Sequence, residues 1–116
     1  MQIKKTYTGV NPELLYDEVR DFVQRQGAIV GEAKMGTYSL ASDSSSFISR
    51  GTITFHMEDE SGKAARECLR AHIVGSAKVE TKLILDIDEK LFPRDKITAL
   101  EDDLDFIFSS YEVKPR

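Results

Sequence analysis

The first residues alternate between apolar and polar. Met1, Ile3 and Tyr7 fall on one side, and Gln2, Lys4 and Thr6 on the other. That is the period of a half-buried strand over residues 1–8, which Gly9 and Val10 end. The period then changes. Leu15, Tyr16, Val19, Phe22 and Val23 recur at the spacing of one helix face. Asn11 stands where an N-cap is needed, Pro12 at the first helical position, and Glu13 at the positive end of the dipole. Gly27 is placed to close the helix in a left-handed conformation. These signals predict a helix over 12–26.

Two strands are predicted next, over 28–41 and 46–57, joined by a turn at Ser42–Ser45. Ile53, Phe55 and Met57 alternate with Thr52, Thr54 and His56. Gly31, Ala33, Gly36 and Ala41 thin the first strand, and Gly36 is read as a bulge. Small residues there leave space over the sheet, for a close helix or for a cavity. A polar turn over 58–63 surrounds Ser61 and Gly62. Residues 64–74 fit two patterns. Ala64, Ala65, Cys68, Leu69, His72 and Ile73 form a helical face, while Leu69, Ala71 and Ile73 alternate as a strand. Val74-Gly75-Ser76 and the alternating run Val79, Thr81, Leu83, Leu85, Ile87 favour the strand. A three-residue bulged turn pairs Leu69 with Leu83, Ala71 with Thr81, and Ile73 with Val79, keeping apolar residues on one face.

Pro93 opens a last helix reaching about Tyr111, with a stripe of Ile97, Leu100, Leu104, Ile107, Phe108 and Tyr111 and an acidic opposite face. The tail from Glu112 to Arg116 is expected to fray. The predicted fold is α+β: one domain over 1–116, ordered β-α-β-β-β-β-α, its antiparallel sheet covered on one face by two helices.

This order, carried by the Asn11-Pro12-Glu13 helix start, the Gly75-Ser76 hairpin and the Pro93–Tyr111 helix, resembles the fold of TATA-box-binding-protein repeats. It also resembles the helix-grip superfamily of START and plant-allergen-like (SRPBCC-like) proteins. The resemblance implies a curved sheet with the C-terminal helix lying across it, and it carries no functional motif.

Composition narrows the function classes. At 116 residues, 41% hydrophobic and 31% charged, the chain is long enough for a core of its own. Its formal net charge of −4 is opposite in sign to that of most nucleic-acid binders. No sheet-face phenylalanines of the kind that wedge between bases are found, so no nucleic-acid partner is expected. The sole cysteine, Cys68, excludes an internal disulfide and reads as a small buried hydrophobe. Lys4 and Lys5 are not followed by an apolar stretch, and no run approaches the ~20 residues of a membrane span. The expectation is a cytoplasmic protein without a membrane partner. There is no Gly-rich phosphate loop, nucleophile elbow or paired-histidine metal motif. No cofactor, metal or catalytic residue is assigned, and the missing signatures favour a non-enzymatic role without deciding it.

Three places remain as candidates. On the face toward the helices, Thr37, Ser49, Thr81 and Glu67 stand beside Met35, Ile53, Leu69 and Leu83. The candidate ligand-binding set is Met35, Thr37, Ser49, Ile53, Ala71, Thr81, Leu83, Leu104 and Phe108, under the C-terminal helix: apolar walls with a few polar anchors. The expected function is a binding module holding an apolar small molecule between sheet and helix. The outer sheet face is the second candidate. There Lys4, Lys34, Arg50, Arg70, Lys78 and Lys82 face Glu32, Glu80 and Asp86, with His56, His72, Ile48, Val74, Ile84 and Val30. The alternative function is accordingly a homodimer or adaptor using that face. His56 and His72 are expected not to meet. The third candidate, Glu101–Asp105, reads as a solvated helix face, because only i, i+3 and i+4 neighbours converge.

Overall fold

The computed structural model describes residues 1–40, 43–58, 64–76 and 78–113. The predicted element order is found: β1 (Gln2–Tyr7), α1 (Pro12–Arg25), β2 (Ile29–Leu40), β3 (Asp43–Glu58), β4 (Ala64–Gly75), β5 (Thr81–Ile87) and α2 (Arg94–Phe108), followed by a 3₁₀ turn at Ser109–Tyr111. All five strands form one antiparallel sheet ordered β1-β5-β4-β3-β2. The α+β class is as expected, and residues 64–75 are a strand.

Helix α1 begins as its sequence dictates. The Asn11 carboxamide oxygen accepts the N–H groups of Glu13 at 2.8 Å and Leu14 at 3.4 Å, so two amides without helical partners are satisfied. Gly27 follows the helix with φ +94°, a conformation that excludes most side chains. Leu15, Tyr16, Val19, Phe22 and Val23 are buried. From α2, Ile97, Leu100, Leu104 and Phe108 join the same core, but Ile107 and Tyr111 of the predicted stripe are about half exposed. Phe92, just before α2, is fully buried, and its N–H bonds the Asp88 carbonyl at 2.8 Å.

Pairing through the sheet sets which side chains line up toward the helices. One row runs Ile3, Leu85, Ala71, Ile53, Ala33, the next Lys5, Leu83, Ile73, Gly51, Met35, and the third Tyr7, Thr81, Gly75, Ser49, Thr37. The expected β4–β5 register is corrected. Ile73 pairs Leu83, Ala71 pairs Leu85 and Leu69 pairs Ile87. The connection spans Ser76–Glu80, closed by the Ser76 N–H on the Glu80 carbonyl at 3.0 Å. The apolar side was foreseen because an even slip preserves alternation. The extra slip places Gly75 opposite Thr81, where a Cβ on Gly75 would lie 2.4 Å from the Thr81 Cα.

The expected bulge at Gly36 is also displaced. The ladder shifts between Val30 and Ala33, and again between Ser39 and Leu40. At the first shift Thr54 Oγ1 accepts the Glu32 N–H at 2.8 Å, giving a partner to an amide at the irregular step. The absence of a Cβ at Gly31 makes room for the His56 ring. This irregularity puts Val30 against the core instead of on the outer face. At Gly36 the Tyr38 side chain fills the space a Cβ would take. The close helix approach comes instead at Gly51, where a Cβ would be 2.8 Å from the Tyr16 ring.

Two boundaries differ. Leu40 pairs Asp43, so Asp43–Ser45 belong to β3 and not to a turn; residues 41–42 lie outside the described residues, as does the predicted 58–63 turn apart from Glu58. Glu112 pairs Tyr7, and the Val113 N–H bonds the Thr6 carbonyl at 2.7 Å. This part of the expected fraying tail therefore covers the free edge of β1.

Candidate functional site

The expected ligand-binding residues divide into two sets. Ile53, Ala71, Leu83 and Leu104 are fully buried in the core, with Phe108 beside them, its ring 5.6 Å from that of Tyr7. Thr81 is fully buried too, and its hydroxyl donates to the Val10 carbonyl at 2.8 Å. Met35 packs on the core margin beside Gly51. Thr37 and Ser49 lie at the end of the sheet, Thr37 exposed and Ser49 buried, their hydroxyls 3.1 Å apart. Glu67 does not face the helices: it is half-buried opposite His56 and accepts from Arg70 at 2.8 Å.

The cavities that described residues line are elsewhere. β3 outruns β4: the last β3–β4 pair is Ser49 with Gly75, whereas β2 and β3 stay paired out to Leu40 and Asp43. From Asp43 to Ile48, β3 pairs with β2 alone among the described residues. The Ser76–Glu80 loop turns back where β4 would have continued, and a cleft opens between that loop and β3. Its outer half, about 340 Å³, is walled by Phe47, Ile48, Val74 and Val79, with Lys78, Glu80 and Lys82 around them. Its inner half, about 270 Å³, is lined by Asn11, Pro12, Glu13, Thr37 and Ser49. Phe47, Gly75, Ser76 and Lys78 belong to both halves. Phe47 is 55% exposed and Val79 70%, so large apolar side chains stand open to solvent here.

Polar groups in the inner half are linked. Thr37 donates to Glu13 at 3.4 Å, which leaves its oxygen to accept from Ser49. The Asn11 oxygen is spent on the helix cap. The Ser76 hydroxyl oxygen accepts the Lys78 N–H at 3.2 Å. Of the sequence-predicted residues, only Thr37 and Ser49 line this cleft. Phe47 and Val79 were missed because the candidate set was drawn beneath the C-terminal helix, whereas Phe47 lies beyond the last β3–β4 pair and Val79, expected opposite Ile73, lies in the loop before β5. Their exposure was legible only as apolar residues beside turn residues.

A separate groove of about 320 Å³ lies between the start of α1 and the end of α2, lined by Gly9, Val10, Asn11, Leu14, Ile107, Phe108 and Tyr111. Nearby, Lys5 bonds Glu112 at 3.3 Å and Asp105 at 3.5 Å. Burial alone would lower the Lys5 pKa, but these two carboxylates outweigh it and the net shift is upward. Burial raises the Tyr7 phenol, and Glu112 and Asp105 raise it further. Burial also pushes the Cys68 thiol up to about 11, so it is protonated and poorly nucleophilic at neutral pH.

On the outer sheet face, Lys4, Ile84, His72, Thr52 and Lys34 form one row, and Thr6, Lys82, Val74 and Arg50 the next. Lys78 is not on this face but in the loop. Arg70 is engaged by Glu67, and His72 lies 3.6 Å from Asp86. The cationic excess is thus partly neutralised within the sheet. Thr52 is the residue paired with His72, and His56 pairs Glu67, so the two histidines stand at different levels of the ladder. Among the described residues, no group of three or more His, Cys, Asp or Glu side chains converges as a metal site would require. No helix is long and apolar enough to cross a membrane among them. Comparison of the chain with protein-family models, with curated proteins and with solved structures returned no match.

Proposed function

We propose that this protein is an intracellular, non-catalytic binding module of helix-grip or TATA-box-binding-protein-like architecture, and that it takes an apolar small molecule in the cleft between β3 and the Ser76–Glu80 loop. The architecture is supported by the element order, by a sheet ordered β1-β5-β4-β3-β2 and by the α2 side chains Ile97, Leu100, Leu104 and Phe108 in the shared core. The site is carried by one observation: a concave apolar surface of Phe47, Ile48, Val74 and Val79, about 340 Å³ in volume. That is at the lower end of the ~300–1,000 Å³ typical of small-molecule sites. The ligand class is the one the sequence suggests, but its place moves. Under α2 the positions of Ile53, Ala71, Leu83 and Leu104 are closed to solvent by core packing, and they line none of the three cavities described above.

The test is a heteronuclear NMR titration of the full chain with decanol, an uncharged apolar probe. Saturable shifts centred on Phe47, Ile48, Val74 and Val79 are expected. Shifts confined to the Leu83–Leu104 core, or none at all, would overturn the cleft as the site.

A second reading rests on the sheet face away from the helices, where Ile48, Val74 and Ile84 stand half-buried on three successive rows with no covering layer among the described residues. This favours a homodimer or adaptor contact. Light scattering over a concentration series checks it: a monomer throughout removes the dimer, and Ile84→Glu should dissociate one if it forms.

A further inference from the structure

We infer that the ligand of this cleft is an amphipathic organic anion, with an apolar body against Phe47, Ile48, Val74 and Val79 and an acidic head at Lys78. The inference rests on the cleft being the binding site and adds the chemistry of the head group.

Several acceptors in the cleft are already engaged, while the Glu13 and Glu80 carboxylates keep further lone pairs. Asn11 Oδ1 caps α1, the Glu13 carboxylate accepts from Thr37, and Thr37 accepts from Ser49 in turn. The Ser76 oxygen accepts the Lys78 N–H. The donors left over are the Lys78 ammonium, the Ser76 O–H and the Asn11 amide NH₂, none of which donates to another described residue. Lys78 lines both halves, and no carboxylate lies within ion-pair distance of it among the described residues. Lys82 adds a second positive charge, held loosely by Glu80 at 3.9 Å.

The ammonium of Lys78, which lines both halves without an ion-pair partner among the described residues, matches a group that only accepts. An ionised carboxylate, sulfonate or phosphate monoester is such a group. A cationic head at the same place would meet the like charge of Lys78, and the Glu80 carboxylate nearby is shared with Lys82. The apolar walls contribute through area removed from water, which discriminates little by charge. Affinity should therefore come from the body and selectivity from the head.

The experiment compares three probes with the same tail, decanoate, decanol and decyltrimethylammonium, by NMR titration of the full chain. Decanoate is expected to bind about fivefold more tightly than decanol, the gain of one partly exposed ion pair, and the ammonium probe least tightly. That preference should shrink at high salt. Lys78→Gln should erase the decanoate advantage, so that acid and alcohol bind that variant equally, while Lys78→Arg should retain it. Equal binding of acid and alcohol at the cleft, or preference for the ammonium probe, overturns the anionic head and leaves the apolar site standing. Absence of cleft shifts with all three probes overturns the site itself, and the inference with it.

Discussion

Two single residues show how local chemistry constrains this chain. Gly75 faces Thr81 across the β4–β5 ladder, and a Cβ there would sit 2.4 Å from both the Glu80 carbonyl oxygen and the Thr81 Cα. Those are backbone atoms, so the sheet itself must shift to admit a methyl group. Gly75→Ala should cost about 2–3 kcal/mol in urea unfolding. Gly51→Ala should cost less, because the atoms it meets belong to the Tyr16 and Met35 side chains. Cys68 gives a pH signature. Its folded pKa is raised from 9.0 to about 11 by burial, so the unfolded chain releases the proton first. The associated stability is complete below pH 9 and is lost as pH rises from 9 toward 11. Lys5 and Tyr7, both also shifted upward, act in the same direction but only above their ordinary values of 10.5 and 10.0. Between pH 9 and 10 the decline should be weaker in Cys68→Ala than in the parent chain, as read by denaturant midpoints.

At the scale of elements, α1 is the most legible part of the chain. Its cap, first-turn proline, apolar stripe and terminal Gly27 are all local signals, and each appears in the structure in its expected role. Asn11→Ala should destabilise the protein by about 1 kcal/mol, measured by chemical denaturation, because two amide donors lose their acceptor. Strand faces were legible for β3, β4 and β5 through alternation. Pairing was not: alternation has period two, so it cannot distinguish registers that differ by an even number of residues. The β2 reading failed locally. A single irregular step at Gly31–Glu32 reverses the faces of everything before it, which is why Val30 turns inward while Lys34 stays outward.

For the whole molecule, the important question is whether the space under α2 is filled. Ile97, Leu100, Leu104, Leu83 and Leu85 are each inaccessible to solvent. Such a core makes Leu83→Ala expensive, about 3 kcal/mol in urea unfolding. A cost well under 1 kcal/mol would point to a pre-existing void there and restore the sheet–helix space as a ligand site. The β2–β3 ribbon, which runs on past the end of β4 at Gly75, produces the cleft, and the molecule is correspondingly elongated, with extents of 51 × 29 × 19 Å.

The sequence by itself determined both helices, the face α1 buries and the packing side of β3 and β5, and it favoured a strand over a helix for 64–74, because these depend on periodicity and on capping within a few residues. It also placed Thr37 and Ser49 on the helix side, though as part of a cavity beneath α2. Only the tertiary structure decided that β1 lies between β5 and the Glu112–Val113 segment, that the β4–β5 loop spans five residues, and that β3 extends past its partner. Those features arise from contacts between residues far apart in the chain. The cleft exists only where two such contacts end at different heights, so no local pattern of residues could announce it.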